Sequence, residues 1–126
     1  VLVVDAANVV GSRPDGWWRD RAGAARRLVD AITAAVADGA LDGPVVVVLE
    51  GAARAGVAAG AVGPGVTVVH APGAGDDAIV AATADAVGAA PTADTVRVVT
   101  ADRALRARVT ALGAGCVGPG WLRDRC

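Results

Sequence analysis

The sequence contains no lysine, which closes off chemistry that depends on a lysine amine: Schiff-base catalysis, a P-loop phosphate site and a phospho-receiver site. Phe, Tyr and Met are also absent, and the only aromatic residues are Trp17, Trp18 and Trp121. A core must therefore be built from Val, Leu, Ile and Ala, a mixture that suits sheets covered by alanine-rich helices. The two cysteines, Cys116 and Cys126, have neither CxxC nor Cys/His spacing. That argues against a disulfide framework and a structural zinc site, and it points to a reducing compartment. Cys116 reads as a small core residue. The longest apolar run, Val45 to Leu49, is far too short to span a bilayer, so no membrane role is expected. The sequence opens on VLVVD, without a basic leader and without an initiator Met; a trimmed, soluble, cytoplasmic protein is the expectation.

What is present fits a single domain over residues 1–126, 54% hydrophobic and 20% charged. Twelve arginines stand against thirteen acids, for a net charge of -1, so any nucleic-acid footprint must be local rather than global. Twelve of the acids are Asp, and the lone glutamate is Glu50.

Valine-rich runs alternate with helical patterns, the signature of βαβ units and a mainly parallel sheet. Strands are expected at Val1 to Val4, Val45 to Leu49, Val66 to Val69, Val96 to Thr100 and, briefly, Cys116-Val117. A helix from about Trp17 to Asp38 aligns Leu28, Ile32 and Val36 on one face. Asp76-Asp77 open a second helix with Ile79, Val80, Thr83 and Val87 inward, where acids suit the positive end of the helix dipole. Asp102 precedes a third, with Leu105, Val109 and Leu112 on its core face. The Gly/Ala segment after Glu50 suits a short helix.

On this reading the acids gather at one edge. Asp5 ends the first strand, Glu50 the second, Asp76-Asp77 follow the third and Asp102 the fourth. In open α/β folds the ligand crevice lies outside the carboxyl ends of the strands, near the point where strand order reverses. Clustered carboxylates repel one another unless cations neutralise them, and hard divalent ions do so through oxygen ligands. Such a site suits phosphodiester hydrolysis, because the ions activate water and stabilise charge on the attacking and leaving oxygens. The plainer alternative is that each Asp caps a helix or turn, which would not require convergence on one edge.

The segments DAANVV near the start, the acid after VVVVL, GDDAIVAATA and VVTADRALRARVTALGAGCVG resemble, over almost the whole chain, the NYN branch of the PIN-like ribonucleases, in particular bacterial YacP-like proteins. The resemblance implies a three-layer α/β/α sandwich with strand order 3-2-1-4-5 and an acidic site that binds Mg²⁺ or Mn²⁺ and cuts RNA. It assigns the first metal-binding aspartate to Asp5, its Asn partner to Asn8, the acid of the helix-opening motif to Asp76 or Asp77, and the last acid to Asp102. Glu50 departs from the family pattern, which usually has Asp after the second strand; its longer arm reaches a metal directly or through water.

GAGDDA also imitates a dinucleotide-binding fingerprint, but two aspartates would put negative charge where a phosphate should sit. His70 reads as a packed or surface histidine. Trp17 and Trp18 with Arg13, Arg19 and Arg21 form an aromatic and basic cluster suited to stacking a base and holding phosphates, or else one Trp packs beneath the first helix. Arg54, Arg103 and Arg106 follow acidic strand ends, where they meet a phosphate backbone or form solvated faces. The leading expectation is a metal-dependent endoribonuclease acting on RNA and leaving a 5′-phosphate. The alternatives are a catalytically weak RNA-binding or ribosome-associated module, suggested by Glu50 and the lack of net positive charge, and a small-molecule phosphohydrolase. Whether a homodimer completes the substrate groove is left open.

Overall fold

The first strand, β1 (Leu2–Asp5), is buried at all four positions, as expected of a strand covered on both faces. In the computed structural model, which describes residues 1–126, β1 is followed by a short helix α1 (Ala6–Gly11), a 3₁₀ turn at Trp17–Arg19 and the long helix α2 (Arg21–Ala37). Then come β2 (Val45–Leu49), a 3₁₀ segment at Gly51–Gly56, β3 (Gly60–Gly63), β4 (Val66–His70) and α3 (Gly75–Ala89). The chain finishes with β5 (Arg97–Val99), α4 (Arg103–Ala111), β6 (Gly115–Val117) and α5 (Pro119–Arg123). No helix is long and apolar enough to cross a membrane.

The six strands form one sheet in the order β3-β4-β2-β1-β5-β6. All neighbours are parallel except β3 and β4, which are antiparallel. Without the edge strand β3 this is the expected 3-2-1-4-5 order. β3 is the addition: its sequence GAVG has a single large apolar residue, and it joins β4 through the Gly63-Pro64-Gly65 turn with an irregular register. A strand so short and glycine-rich gives no periodic signal.

Alternation along the strands divides the core in two. Val4, Val47, Leu49 and Val68 face α2 and α5, where Val29, Ile32 and Leu122 pack against them. Val3, Val48 and Val98 face the other way, against Ile79, Leu105 and Val109 of α3 and α4. The result is a helix layer on each side of the sheet, with aliphatic side chains filling both interfaces.

Helix starts differ from expectation in one instructive place. The sequence pattern starts α2 near Trp17, but Asp20 is the cap: its Oδ1 accepts the N–H of Gly23 at 2.9 Å. Trp17 to Arg19 therefore lie outside the helix, in a tight turn at its mouth. The small helices α1 and α5, too short to carry an apolar period, each cover part of the first core.

Leu122 on α5 is fully buried in that core. Leu122→Ala is expected to cost about 2–5 kcal/mol, the usual range for deleting a buried leucine, as measured by urea unfolding.

Candidate active site

The chain leaves β1 for β2 on one side, whereas β5 leads to β6 on the other, so strand order reverses between the adjacent strands β1 and β5. That reversal opens a crevice at their carboxyl ends. Asp5, the last residue of β1, is 6% exposed and is the only charged residue in the buried set. Its Oδ2 accepts a hydrogen bond from the Thr100 hydroxyl at 2.9 Å, and its Oδ1 accepts the Asn8 N–H at 3.3 Å. The same contact to Asn8 makes Asp5 the cap of α1.

The loop after β5 is tied to this carboxylate from two directions. Thr100 Oγ1, which donates to Asp5, accepts the N–H of Asp102 at 3.2 Å. Asn8 Oδ1 accepts the N–H of Ala101 at 2.8 Å, joining α1 to that loop. Asp102 in turn caps α4, its Oδ1 accepting the Leu105 N–H at 3.0 Å. Thr100 was not among the expected site residues; the cue was a hydroxyl at a strand end, two residues before an acid.

Glu50, directly after β2, crosses to the start of α3, where its Oε2 accepts the Gly75 N–H at 2.8 Å. The approach is close enough that a Cβ at position 75 would lie 2.7 Å from the Glu50 carboxyl carbon. A side chain at 75 would push the Glu50 carboxyl off the N–H it holds at the start of α3. The longer glutamate arm here spans the gap between two segments.

The acids act on one another. Burial pushes the Asp5 carboxyl up from the ordinary aspartate range, against the lowering effect of its bonds from Thr100 and Asn8, and the charges of Asp76 and Glu50 push it further up. Asp76 is raised as well, by desolvation first and then by Asp102 and Glu50, with Arg108 opposing. Asp5, Glu50, Asp76 and Asp102 therefore share one electrostatic neighbourhood.

The structure separates the two members of the Asp76-Asp77 pair, which the sequence left as alternatives. Asp77 is turned along α3 toward α4, where its Oδ1 pairs with Arg108 Nη2 at 3.0 Å, and its side chain is 74% exposed. Successive residues on a helix point about 100° apart, and of the pair it is Asp76 whose charge acts on Asp5 and which feels Asp102 and Glu50.

No three His, Cys, Asp or Glu side chains are preassembled around a common point. The donor set nevertheless suits a hard cation. It consists of oxygens alone, and Asp5, Glu50 and Asp102 each make their hydrogen bonds while keeping lone pairs free. Mg²⁺ needs as few as one or two protein carboxylates, with water completing its shell.

The expected RNA-contacting residues are not gathered in one place. Trp17 is half-buried and Trp18 is 54% exposed, with their rings edge to face at 6.5 Å. The Arg19 guanidinium lies over Trp18 and that of Arg21 over Trp17. Arg13 is exposed and lines a groove with Arg27 and Arg123. Arg103 and Arg106 are exposed on α4. Arg54 is committed to backbone, donating to Gly51 O at 3.1 Å and Ala71 O at 3.2 Å. His70 donates through Nε2 to Val57 O at 2.7 Å, which fits a packed histidine holding a loop. Cys116 is partly buried against the second core.

The sheet order, with helices on both faces, defines an α/β fold close to the PIN-like type. A solved structure, that of a variant of Rae1 (YacP) from Bacillus subtilis, shares it: TM-score 0.69 over 98% of this chain and 72% of that chain, at 19% sequence identity. The likeness is one of fold. No protein-family model matches the sequence, and no curated protein matches it.

Two outcomes follow from the geometry. Because the folded-state pKa of Asp76 is raised, its ionised form opposes folding. Asp76→Asn should therefore melt higher than the parent at neutral pH. The difference should shrink as pH falls through the raised value and vanish below the ordinary aspartate range; pH-resolved thermal melts read it. Gly75→Ala should displace the Glu50 carboxyl and destabilise by about 1.5–3 kcal/mol through the lost hydrogen bond to a charged group, and by less in a Glu50→Ala background, a coupling that a double-mutant cycle measures.

Proposed function

We propose that the protein is a divalent-cation-dependent endoribonuclease that hydrolyses RNA phosphodiester bonds at the crevice between β1 and β5. The observation that carries this reading is the convergence of Asp5, Glu50, Asp76 and Asp102, from four separate segments, on one sheet edge where burial and like charge raise Asp5 and Asp76. Supporting it is the resemblance of the motifs around Asp5, Asn8, Asp76 and Asp102 to the NYN ribonucleases.

In this reading Asp5, Asp76 and Asp102 hold Mg²⁺ or Mn²⁺. When bound, the cation supplies an activated water and offsets the negative charge that builds on the phosphate oxygens. The protein's own part is positional. Thr100 and the Asn8 N–H fix both oxygens of Asp5, so the carboxylate needs no reorganisation. Asn8 locks α1 to the loop that carries Asp102. Glu50 sets the start of α3 and, through it, Asp76, while adding charge to the neighbourhood. Arg13, Arg19, Arg103 and Arg106 are exposed cations for phosphates along the strand. Arg54 is a weaker candidate, its donors being engaged with backbone. An RNA partner and a cytoplasmic setting belong to the same reading.

Cleavage of a labelled RNA pool across a Mn²⁺ titration tests it. The parent should shorten the RNA, leaving 5′-phosphates, and chelation should stop it. Asp5→Asn, Asp76→Asn and Asp102→Asn should each slow cleavage by about a thousandfold, in line with the several kcal/mol a cation contributes. Asp77→Asn should retain most of the activity. Undiminished Mn²⁺-dependent cleavage by Asp5→Asn would contradict the assignment. RNA that shifts without shortening would identify a binding module instead, and phosphate release from nucleotides with RNA intact a small-molecule phosphohydrolase.

A further inference from the structure

Next to the acidic crevice lies a cavity of about 440 Å³ that the proposed chemistry does not use. Its walls include Ala6, Ala7 and Val10 of α1, Trp17, Arg21 at the start of α2, and Glu50. The volume falls in the roughly 300–1,000 Å³ range typical of small-ligand pockets. We propose that this cavity seats one unpaired base of the RNA strand, stacked on Trp17 beside the phosphodiester to be cut; the proposal rests on the ribonuclease reading above.

Three observations point to a base rather than another occupant. First, the two tryptophans are not equivalent. Trp18 stands 54% exposed at the surface, whereas Trp17 is half-buried. Trp17 forms part of the cavity wall and stands edge to face with Trp18. It can be so placed because the Asp20 cap starts α2 late and leaves Trp17 in the turn.

Second, the cavity wall carries charges of both signs. The Glu50 carboxylate belongs to the acidic neighbourhood, with Oε2 accepting from Gly75. A phosphate beside it would be repelled, but an uncharged base offers N–H donors to the carboxylate. Over Trp17, the exposed Arg21 guanidinium sits 5.3 Å from the ring centroid. It can reinforce stacking and meet the backbone phosphate outside. The strand is thus oriented base inward and phosphate outward.

Third, the cavity adjoins the chemistry. Ala6 follows Asp5 directly, and Glu50 belongs to both the cavity wall and the acidic neighbourhood. A base held there puts its own phosphodiester at the carboxylates, which is how a substrate-positioning contact raises the rate.

The experiment reads binding separately from cutting. The anisotropy of a short fluorescein-labelled single-stranded RNA is measured in EDTA, with each base in turn replaced by an abasic site. For the parent, one position should dominate, its loss weakening binding about 5- to 100-fold, the range expected for one base–aromatic stack. Trp17→Ala should show the same loss on intact RNA and no further loss at that position. Ala7→Leu, which fills the cavity from an exposed helix position and leaves the ring in place, should do likewise; thermal melts verify that both variants fold. A flat abasic profile, or Trp17→Ala losses that multiply with the abasic loss, would overturn the proposal. With Mn²⁺ added, the sensitive position should lie at a fixed offset from the cut. A single sensitive position without cutting would defeat the nuclease reading and leave the base pocket standing, whereas cutting with a flat profile would do the reverse.

Discussion

The hydrogen bond from the Thr100 hydroxyl to Asp5 organises the site. Asp5 is the only charged residue among the buried ones, and a buried carboxylate is costly unless its oxygens are satisfied. Thr100 satisfies one oxygen and the Asn8 N–H the other. Through Thr100 the same contact reaches the Asp102 backbone, and through Asn8 it reaches Ala101. The ends of β1 and β5, the turn into α1 and the cap of α4 are held as one unit. Every buried side-chain polar atom has a partner, so the strain at this edge is one of charge rather than of missing hydrogen bonds.

That charge links stability to function. Asp5 and Asp76 are harder to ionise than ordinary aspartates because they are desolvated and face other acids. A fold selected for stability alone would disperse these groups or pair them, as Asp77 is paired with Arg108. The cluster instead keeps negative potential facing one crevice, an arrangement that a divalent cation relieves. Glu50 serves both purposes, anchoring α3 through Gly75 and adding to the potential.

Much of the fold could be read from the sequence because its strands are nearly pure valine. In β2 the apolar run is long enough to mark a strand buried on both faces, Val66, Val68 and Val69 mark β4 beside it, and from them the sheet and its acidic edge followed. β3 was invisible because GAVG carries no period, and α1 because DAANVV continues the apolar character of β1 into a helix of six residues. Within the site, Asp5, Glu50, Asp76 and Asp102 were legible as strand-end acids. Which of Asp76 and Asp77 belongs to the acidic neighbourhood was not, since neighbouring helix residues are told apart only by the phase of the helix against the sheet. Thr100 and Arg108 were missed for a related reason: their roles come from long-range pairing, with Asp5 ninety-five residues away and with Asp77 thirty-one away. The position of Trp17 likewise depended on where α2 begins, which Asp20 decides and the apolar period does not.

The central claim is that the buried acid at the end of β1 and its neighbours form one divalent-ion site. The most direct measurement is a crystal structure grown in Mn²⁺, with anomalous scattering used to locate the ion. An anomalous peak is expected at the carboxyl edge of β1 and β5, within coordination distance of Asp5 and of Asp76 or Asp102. Occupied Mn²⁺ sites elsewhere with none at that edge would contradict it.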